Sequence, residues 1–426
     1  MAGFAGMTAL DPGLPLTQAA LWQWSSQAPV ALSGGLEPGA DPAHTAEQLT
    51  LSGAVDEAAF FQALEQLWTD LPQLRARVAL GADGQVRHWL GTQPVQQPER
   101  WEGRSPAALK AWHRRPYELE TGELTRQAYW TDGGGGQLNY LLGVHHLALD
   151  GYGYALLWQR LAAEYRALTL GQPRPAAWAD IRPVLEEEAA YLASGASAQD
   201  ARALEALYTY RPAEPAPLLE RGLAWGHRAS VQLGLDTRRE LETLAQQAGV
   251  NWAEWLLALL AHDWWLETGE AEPLTGLAMM NRMGTPAAGV PLMRMNMLPL
   301  PTPAPAILDP ADLGHAARQI RATLQELRPH ARFRYEELWQ RLGQRRLFGL
   351  EVNIIPFTLP LDFGPEVQAS VQSLISGPTE DLAWTLSAAP GQTLNVVLEG
   401  HPALYSPEDV QARLSRLEQW LSSRRT

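Results

Sequence analysis

Strand-like and helix-like hydrophobic patterns alternate along this chain, and that alternation limits the folds it can adopt. Residues 48–52 have the composition of a strand, and residues 57–71 follow with apolar side chains at Phe60, Phe61, Leu64 and Leu67. That spacing places the four side chains on one face of a helix. The second half repeats the alternation, with strands predicted at 229–233, 274–280, 351–356, 370–376 and 394–399. The sequence therefore predicts an α/β fold in which both halves supply strands and helices.

A linker-like segment divides the two halves. The strongly helical stretch 154–168 ends at Gln172-Pro173, and the next helix is predicted to begin at Trp178. We therefore expect one lobe over residues 1–175 and a second over residues 176–426. A length of 426 residues fits two or three folding units. A cleft between two packed lobes is the default place for a ligand site.

Composition excludes several classes of function. The chain has no cysteine, so it has no disulfide, thiolate metal site or cysteine nucleophile. Its 33 basic and 47 acidic side chains give a net charge of -14, which argues against a nucleic-acid partner. Neither a signal peptide nor a membrane-spanning segment is predicted, because the most apolar stretch, 252–266, is interrupted by Glu254, His262 and Asp263. We expect a cytoplasmic protein.

The segment 143–151 carries most of the chemical information. It reads Gly-Val-His-His-Leu-Ala-Leu-Asp-Gly and joins the end of a predicted strand to the start of a predicted helix. Side chains alternate faces along a strand, so His145 and His146 point in opposite directions and do not share a metal. A buried histidine cluster without catalytic function is one interpretation of this pair. The alternative is that one of the two histidines faces the cleft and works on substrate.

Acyl transfer suits this arrangement. Histidine titrates near neutral pH and exchanges protons or hydrogen bonds with a reacting amine or alcohol. Asp150 and Gly151 stand where the chain bends into a helix, whose first N–H groups are free to face developing negative charge. A base and oxyanion donors can therefore coexist at this bend.

The same segment resembles the HHxxxDG motif of the condensation domains of nonribosomal peptide synthetases, in the chloramphenicol-acetyltransferase-like superfamily. Other segments resemble further motifs of the family in the same order along the chain: residues 14–22, 74–77, 279–282, 296–300 and 332–338. The resemblance implies two acetyltransferase-like lobes arranged as a V, with a tunnel between them.

The resemblance also implies roles for five residues. His146 would be the catalytic histidine, and His145 would support it. Asp150 would form a structural ion pair with Arg282, and Gly151 would present its backbone N–H to the thioester oxygen.

The implied reaction joins an acyl thioester to the amine of an aminoacyl thioester. Both substrates would arrive on phosphopantetheine arms of partner carrier proteins, so no bound cofactor or metal is expected in the domain itself. An adenylation domain would follow in the full synthetase, and the isolated domain would be monomeric.

A narrower resemblance concerns the donor. Residues 348–355 and 376–382 are similar to the condensation domain of a siderophore synthase that joins a 2,3-dihydroxybenzoyl group to serine, which implies an aryl donor. Two alternatives stay open: a free acyltransferase that uses acyl-CoA or forms an ester, and a non-catalytic recruitment domain of the same fold. An epimerisation domain would need a further catalytic glutamate, and a heterocyclisation domain would have aspartates in place of the histidine pair.

Overall fold

The fold was determined as a computed structural model. It describes residues 13–25, 41–91, 93–132, 136–208, 224–343, 347–356, 360–389 and 391–422. The strands are β1 Leu14–Pro15, β2 His44–Gly53, β3 Arg77–Leu80, β4 Val86–Trp89, β5 Glu99–Arg100, β6 Thr125–Thr131, β7 Gln137–His145, β8 His227–Leu233, β9 Leu274–Met279, β10 Asn296–Pro301, β11 Leu350–Ile355, β12 Val367–Ile375, β13 Leu382–Ser387 and β14 Leu394–Gly400. The helices are α1 Gln18–Ser25, α2 Glu57–Thr69, α3 Pro106–Arg114, α4 Gly151–Leu170, α5 Arg182–Ala193, α6 Gly195–Tyr208, α7 Leu235–Gln247, α8 Trp252–Thr268, α9 Pro310–Leu327, α10 Tyr335–Arg341 and α11 Pro407–Ser422.

Two mixed sheets organise these elements. The first has the strand order β12-β2-β7-β6-β5, and the second has the order β10-β9-β11-β13-β14-β8. A small sheet, β1-β4-β3, accompanies the first. The α/β prediction is confirmed.

Each large sheet packs against its own helices. In the first half, α2 and α4 cover the sheet with a core that includes Phe60, Leu64 and Trp158. In the second half, α8 and α9 pack around a larger core that contains Trp255 and Trp384, both fully buried. These large aromatic side chains bury extensive apolar area, so each half has a substantial core of its own.

One strand departs from this division. β12 lies in the second half of the chain, yet it pairs antiparallel with β2 of the first sheet, from Val367 opposite Gly53 to Ile375 opposite Ala46. It thereby supplies hydrogen-bond partners to what would otherwise be an exposed edge of β2. β12 ends at Ile375 opposite Ala46, near the start of β2, and two residues later Gly377 lies against the His146 ring.

Local sequence explains where the helix after the histidine motif begins and ends. Asp150 has an extended conformation and accepts a hydrogen bond from the N–H of Gly153 at 2.9 Å, as an N-cap does. Gly171 closes the helix with a left-handed backbone, φ +65°. Within the described residues, none of the helices combines the length and apolar character needed to cross a bilayer.

Candidate active site

The histidine motif forms a tight turn between β7 and α4. The N–H of His146 donates to the carbonyl of Ala43 at 2.7 Å, which fixes the end of β7 against β2. The N–H of Leu147 donates to Nδ1 of His145 at 3.0 Å, and the N–H of Ala148 donates to the His145 carbonyl at 2.8 Å. The turn is therefore held by backbone and imidazole hydrogen bonds before α4 starts at Gly151.

His146 is anchored through one ring nitrogen. Its Nδ1 lies 2.8 Å from the carbonyl oxygen of Leu149. Because a carbonyl can only accept, Nδ1 carries the proton, and in the neutral ring Nε2 then presents a lone pair. The side chain is 8% exposed, so it is enclosed but reachable.

The free edge of His146 faces a glycine from the other half of the chain. A Cβ atom placed on Gly377 would lie 3.1 Å from Cδ2 and 3.6 Å from Nε2 of His146, and 3.8 Å from Cγ2 of Thr45. Gly377 also has φ +113°, a conformation that residues with a side chain rarely adopt. The missing side chain leaves room beside Nε2.

His145 points away from this space. It is completely buried, its Nδ1 accepts the N–H of Leu147, and its Nε2 lies 3.8 Å from a carboxylate oxygen of Asp41. Burial, followed by the nearby His146 and Arg126, lowers the pKa of His145 to about 3. A neutral, buried ring is suited to support the turn, and no group of three or more potential ligands among the described residues could hold a metal.

Asp150 joins the two halves of the chain. Nη2 of Arg282 donates to both of its carboxylate oxygens, at 2.8 and 2.9 Å. The N–H of Gly153 donates to Oδ1 as well. The backbone N–H groups of Arg294 and Met295 also donate to it, at 2.9 and 3.1 Å. A carboxylate that accepts five contacts and is 3% exposed is occupied as a structural connector and is not available as a base.

Arg282 is equally enclosed. The side chain is 1% exposed, and its guanidinium also donates to the carbonyls of Ala287, Val290 and Leu292. The Asp150 carboxylate compensates its charge. The neighbouring Asn281 has φ +50°, a left-handed conformation that asparagine tolerates.

Gly151 occupies the first position of α4. Its backbone N–H belongs to the first turn, where helical N–H groups have no partner within the helix. A Cβ atom on Gly151 would meet nothing within 4 Å, so the helix end faces open space. The helix dipole adds partial positive charge at this end.

Sequence reasoning missed several residues around His146. The sequence indicates Gly377 only as part of a motif, and it gives no signal for Thr45, whose Cγ2 borders Gly377, or for Tyr154, whose hydroxyl contacts Thr45. The Ser-Gly-Pro run at 376–378 signals a turn, but nothing in the sequence indicates that this turn lies against His146. The β12–β2 pairing is what brings it there.

The two-sheet α/β fold and the histidine at the strand-to-helix turn agree with the chloramphenicol-acetyltransferase-like class of acyltransferases that the sequence predicts. The family model for the condensation domain matches residues 36–423, and the chain belongs to that family. Condensation domains are acyltransferases that form amide bonds.

Known relatives agree with this assignment. The isonitrile lipopeptide synthase of Streptomyces coeruleorubidus is 32% identical over 398 residues, which cover 88% of this chain and 26% of that protein. The siderophore synthase whose segments this chain resembles is enterobactin synthase component F; the protein of Escherichia coli (strain K12) is 32% identical over 254 residues, which cover 57% of this chain and 19% of that protein. The chain thus spans about a quarter or less of the length of these curated relatives.

Solved structures match over nearly the whole chain. The first condensation domain of the calcium-dependent antibiotic synthetase superposes with a TM-score of 0.82 at 28% identity, over 96% of this chain and 95% of that one. VibH, described as a condensation enzyme of nonribosomal peptide synthesis, superposes with a TM-score of 0.78 at 25% identity over the same shares, 96% and 95%.

Proposed function

We propose that this chain forms an amide bond between an acyl group held as a thioester on one carrier protein and the amine of an aminoacyl thioester on a second. The observation that carries the proposal is the geometry of His146: Nδ1 is tied to Leu149, and the free edge of the ring faces Gly377 of the other half. Phosphopantetheine arms of the carriers would present both substrates there. Because a thioester is already activated, the domain itself then needs no bound metal or cofactor.

In this reaction the acceptor nitrogen attacks the thioester carbon, a C–N bond forms, and the C–S bond breaks. The proton lost by the amine ends on the departing pantetheine sulfur. Nε2 of His146 accepts a hydrogen bond from the amine and so points the nitrogen lone pair at the carbonyl carbon. An α-amine has an unperturbed pKa of about 7.7–8.0, so a useful fraction is unprotonated near neutral pH, and orientation then contributes as much as deprotonation.

The tetrahedral intermediate carries negative charge on the former thioester oxygen. The N–H of Gly151, at the exposed N-terminus of α4, is the donor we assign to it. His145 keeps the turn in place, and the Asp150–Arg282 pair holds the helix start against the second half.

We further infer an aryl donor similar to 2,3-dihydroxybenzoate, in the biosynthesis of a siderophore or another peptide product. The similarity to enterobactin synthase component F supports this. The isonitrile lipopeptide synthase is a relative with a different product name, so donor identity needs a direct assay.

The wider organisation is part of the same proposal. We infer lobes over residues 1–175 and 176–426 that enclose a tunnel with His146 near its middle, a downstream adenylation domain, a monomeric isolated domain and a cytoplasmic location. Two separate cores support two lobes, with β12 and Phe363 of the second half packed into the first one.

The test replaces His146 with alanine and measures amide product by mass spectrometry with loaded donor and acceptor carriers. We expect a loss of about 100-fold or more, the lower range for removing a proton-handling side chain, with an unchanged thermal melt. His315→Ala, an exposed histidine on α9, is the matched control and should keep full turnover. Undiminished turnover in the His146 variant would overturn the assigned role, and turnover with acyl-CoA alone would favour the free acyltransferase.

A further inference from the structure

A glutamate lies on the central part of the first sheet, where an apolar side chain would be expected. β2 runs between β12 and β7, and its residues from His44 to Leu49 are buried except Glu47, which is partly accessible. Alternation along the strand puts Glu47 on the same face as Thr45, the face covered by α4. Glu47 is thus a partly accessible carboxyl among buried neighbours.

First-half side chains hold this carboxyl in place. Nε1 of Trp158 donates to Oε2 of Glu47 at 2.5 Å. One helical turn earlier, the Tyr154 hydroxyl contacts Thr45, donating to its carbonyl at 3.2 Å and lying 3.0 Å from its Oγ1. Burial and, after it, the negative charge of Glu47 raise the pKa of Tyr154.

The second half contributes a charged neighbour. Arg228 on β8 is near enough for its charge to lower the pKa of Glu47, against the larger effect of burial, which raises that pKa to about 7. Nη1 of Arg228 also donates to Oγ of Ser376 and to Oε1 of Glu399, each at 3.2 Å. Glu47 therefore lies where the two halves meet.

Contacts through Gly377 connect Thr45, on the same face of β2 as Glu47, to His146. Thr45 and His146 both border the position of a Cβ on Gly377, at 3.8 and 3.1 Å. Glu47 is two residues further along β2, roughly 7 Å from Thr45 at the usual rise of a strand. An acyl group that extends from His146 past Gly377 and Thr45 would therefore point toward Glu47.

We propose that Glu47 is a specificity-determining residue that accepts a hydrogen bond from a hydroxyl or amino substituent on the donor acyl group. This inference rests on the proposed function and names the chemistry of its donor. A plain hydrocarbon chain would leave the carboxyl without a substrate partner in a desolvated space, which is unfavourable. A substituent that donates a hydrogen bond satisfies it, and sites built around a buried polar group discriminate strongly against analogues that lack the matching group.

The experiment compares three donors of similar size on the carrier: 2,3-dihydroxybenzoyl, 3-aminobenzoyl and benzoyl. The full chain and its Glu47→Gln and Glu47→Leu variants are assayed for kcat/KM with each donor, and thermal melts establish folding. Glu65→Gln, an exposed glutamate on α2, is the matched control. A second measurement does not need turnover: calorimetry gives the Kd of the same acyl groups joined to pantetheine through an amide in place of the thioester.

We expect wild type to prefer a substituted ring. Glu47→Gln replaces one acceptor oxygen with an NH2 donor and should lower that preference over benzoyl by about tenfold. Glu47→Leu should lose the preference entirely while it still accepts benzoyl. Comparison of the 2,3-dihydroxybenzoyl and 3-aminobenzoyl donors shows whether a hydroxyl or an amino substituent is recognised. An unchanged preference in both variants, or an equal loss for all three donors, overturns the inference.

Failure of the proposed function has a different outcome. Wild type would then form no amide with any of the three donors. The calorimetric Kd values still test the role of Glu47 in that case, because binding needs no catalysis. An affinity that depends on the ring substituent in wild type and not in Glu47→Leu supports the role. An affinity that does not depend on the substituent in wild type refutes the role.

Discussion

Replacing Asp150 with asparagine tests the buried connection between the two halves most directly. Asparagine keeps the size of the side chain but removes its charge and turns one acceptor into an NH2 donor. Both carboxylate oxygens receive donors: Oδ1 from Gly153 and Arg282, and Oδ2 from Arg282, Arg294 and Met295. Whichever way the amide is oriented, its NH2 group faces other donors, and the Arg282 charge loses its partner.

The size of the effect follows from this enclosure. Arg282 is 1% exposed, so water cannot replace the lost carboxylate. Removing one partner of a buried ion pair costs about 3–5 kcal/mol. Domains have total stabilities of about 5–15 kcal/mol, so Asp150→Asn should lose a large share of its unfolding free energy and of its soluble yield.

Urea denaturation of wild type, Asp150→Asn, Arg282→Met and the double variant measures this. We expect the double variant to lose at least about 1 kcal/mol less than the sum of the single variants, because no uncompensated charge remains in it. Asp236→Asn, which disturbs an exposed pair with Arg239 at 3.4 Å, is the control and should not move the transition measurably. An Asp150→Asn variant within about 1 kcal/mol of wild type, or strictly additive losses, would refute the reasoning.

Two further predictions concern the site and pH. In Gly377→Ala the new Cβ lies 3.1 Å from the His146 ring, so amide formation should fall at least about tenfold. Gly391 also has a positive φ but faces open space, so the control variant Gly391→Ala should keep its turnover. Equal rates of the two variants by mass spectrometry would contradict the steric argument. Burial, with a smaller effect of Arg126, lowers the pKa of His113 to about 4. In the unfolded chain His113 has its usual pKa of 6.5 and binds a proton that the native state excludes. The free energy of unfolding therefore falls as the pH falls. From pH 7 to pH 5, wild type should therefore lose about 2 kcal/mol more unfolding free energy than His113→Gln, as measured by urea denaturation. An equal loss in the two proteins would show that His113 is not the cause.

The sequence was sufficient for features that depend on local pattern. The helix 57–71 and the strand 274–280 are predicted within two residues of their observed ends, because each has a clear apolar pattern. The bend from β7 into α4 was predicted from Asp150-Gly151, since an aspartate before a helical run is a typical N-cap. The family resemblance supplied the pairing of Asp150 with Arg282, and these two side chains lie 2.8 Å apart.

Features that depend on chain topology were out of reach. The strand predicted at 370–376 was assigned to the second half, but nothing in its pattern indicates that it pairs with β2 of the first sheet. Helix α6, Gly195–Tyr208, was missed because its alanine-rich sequence has few large apolar residues to mark a buried face. Glu47 resembles any polar residue of a half-buried strand until the neighbouring Trp158 and Arg228 are known.

The pairing of β12 with the first sheet explains why residues of both halves lie beside His146. If the second half completed only its own sheet, Gly377 would have no reason to lie beside His146, and Ser376 would not bring Arg228 toward Glu47. The strand pairs with β2 over residues 367–375, so its position is set by many backbone hydrogen bonds and not by the site itself. On the far side of the turn, the Asp150–Arg282 pair fixes a second point of contact between the halves. Two separate attachments on either side of one imidazole leave little freedom for the halves to shift relative to it, which is what a reaction that depends on orienting two tethered substrates requires.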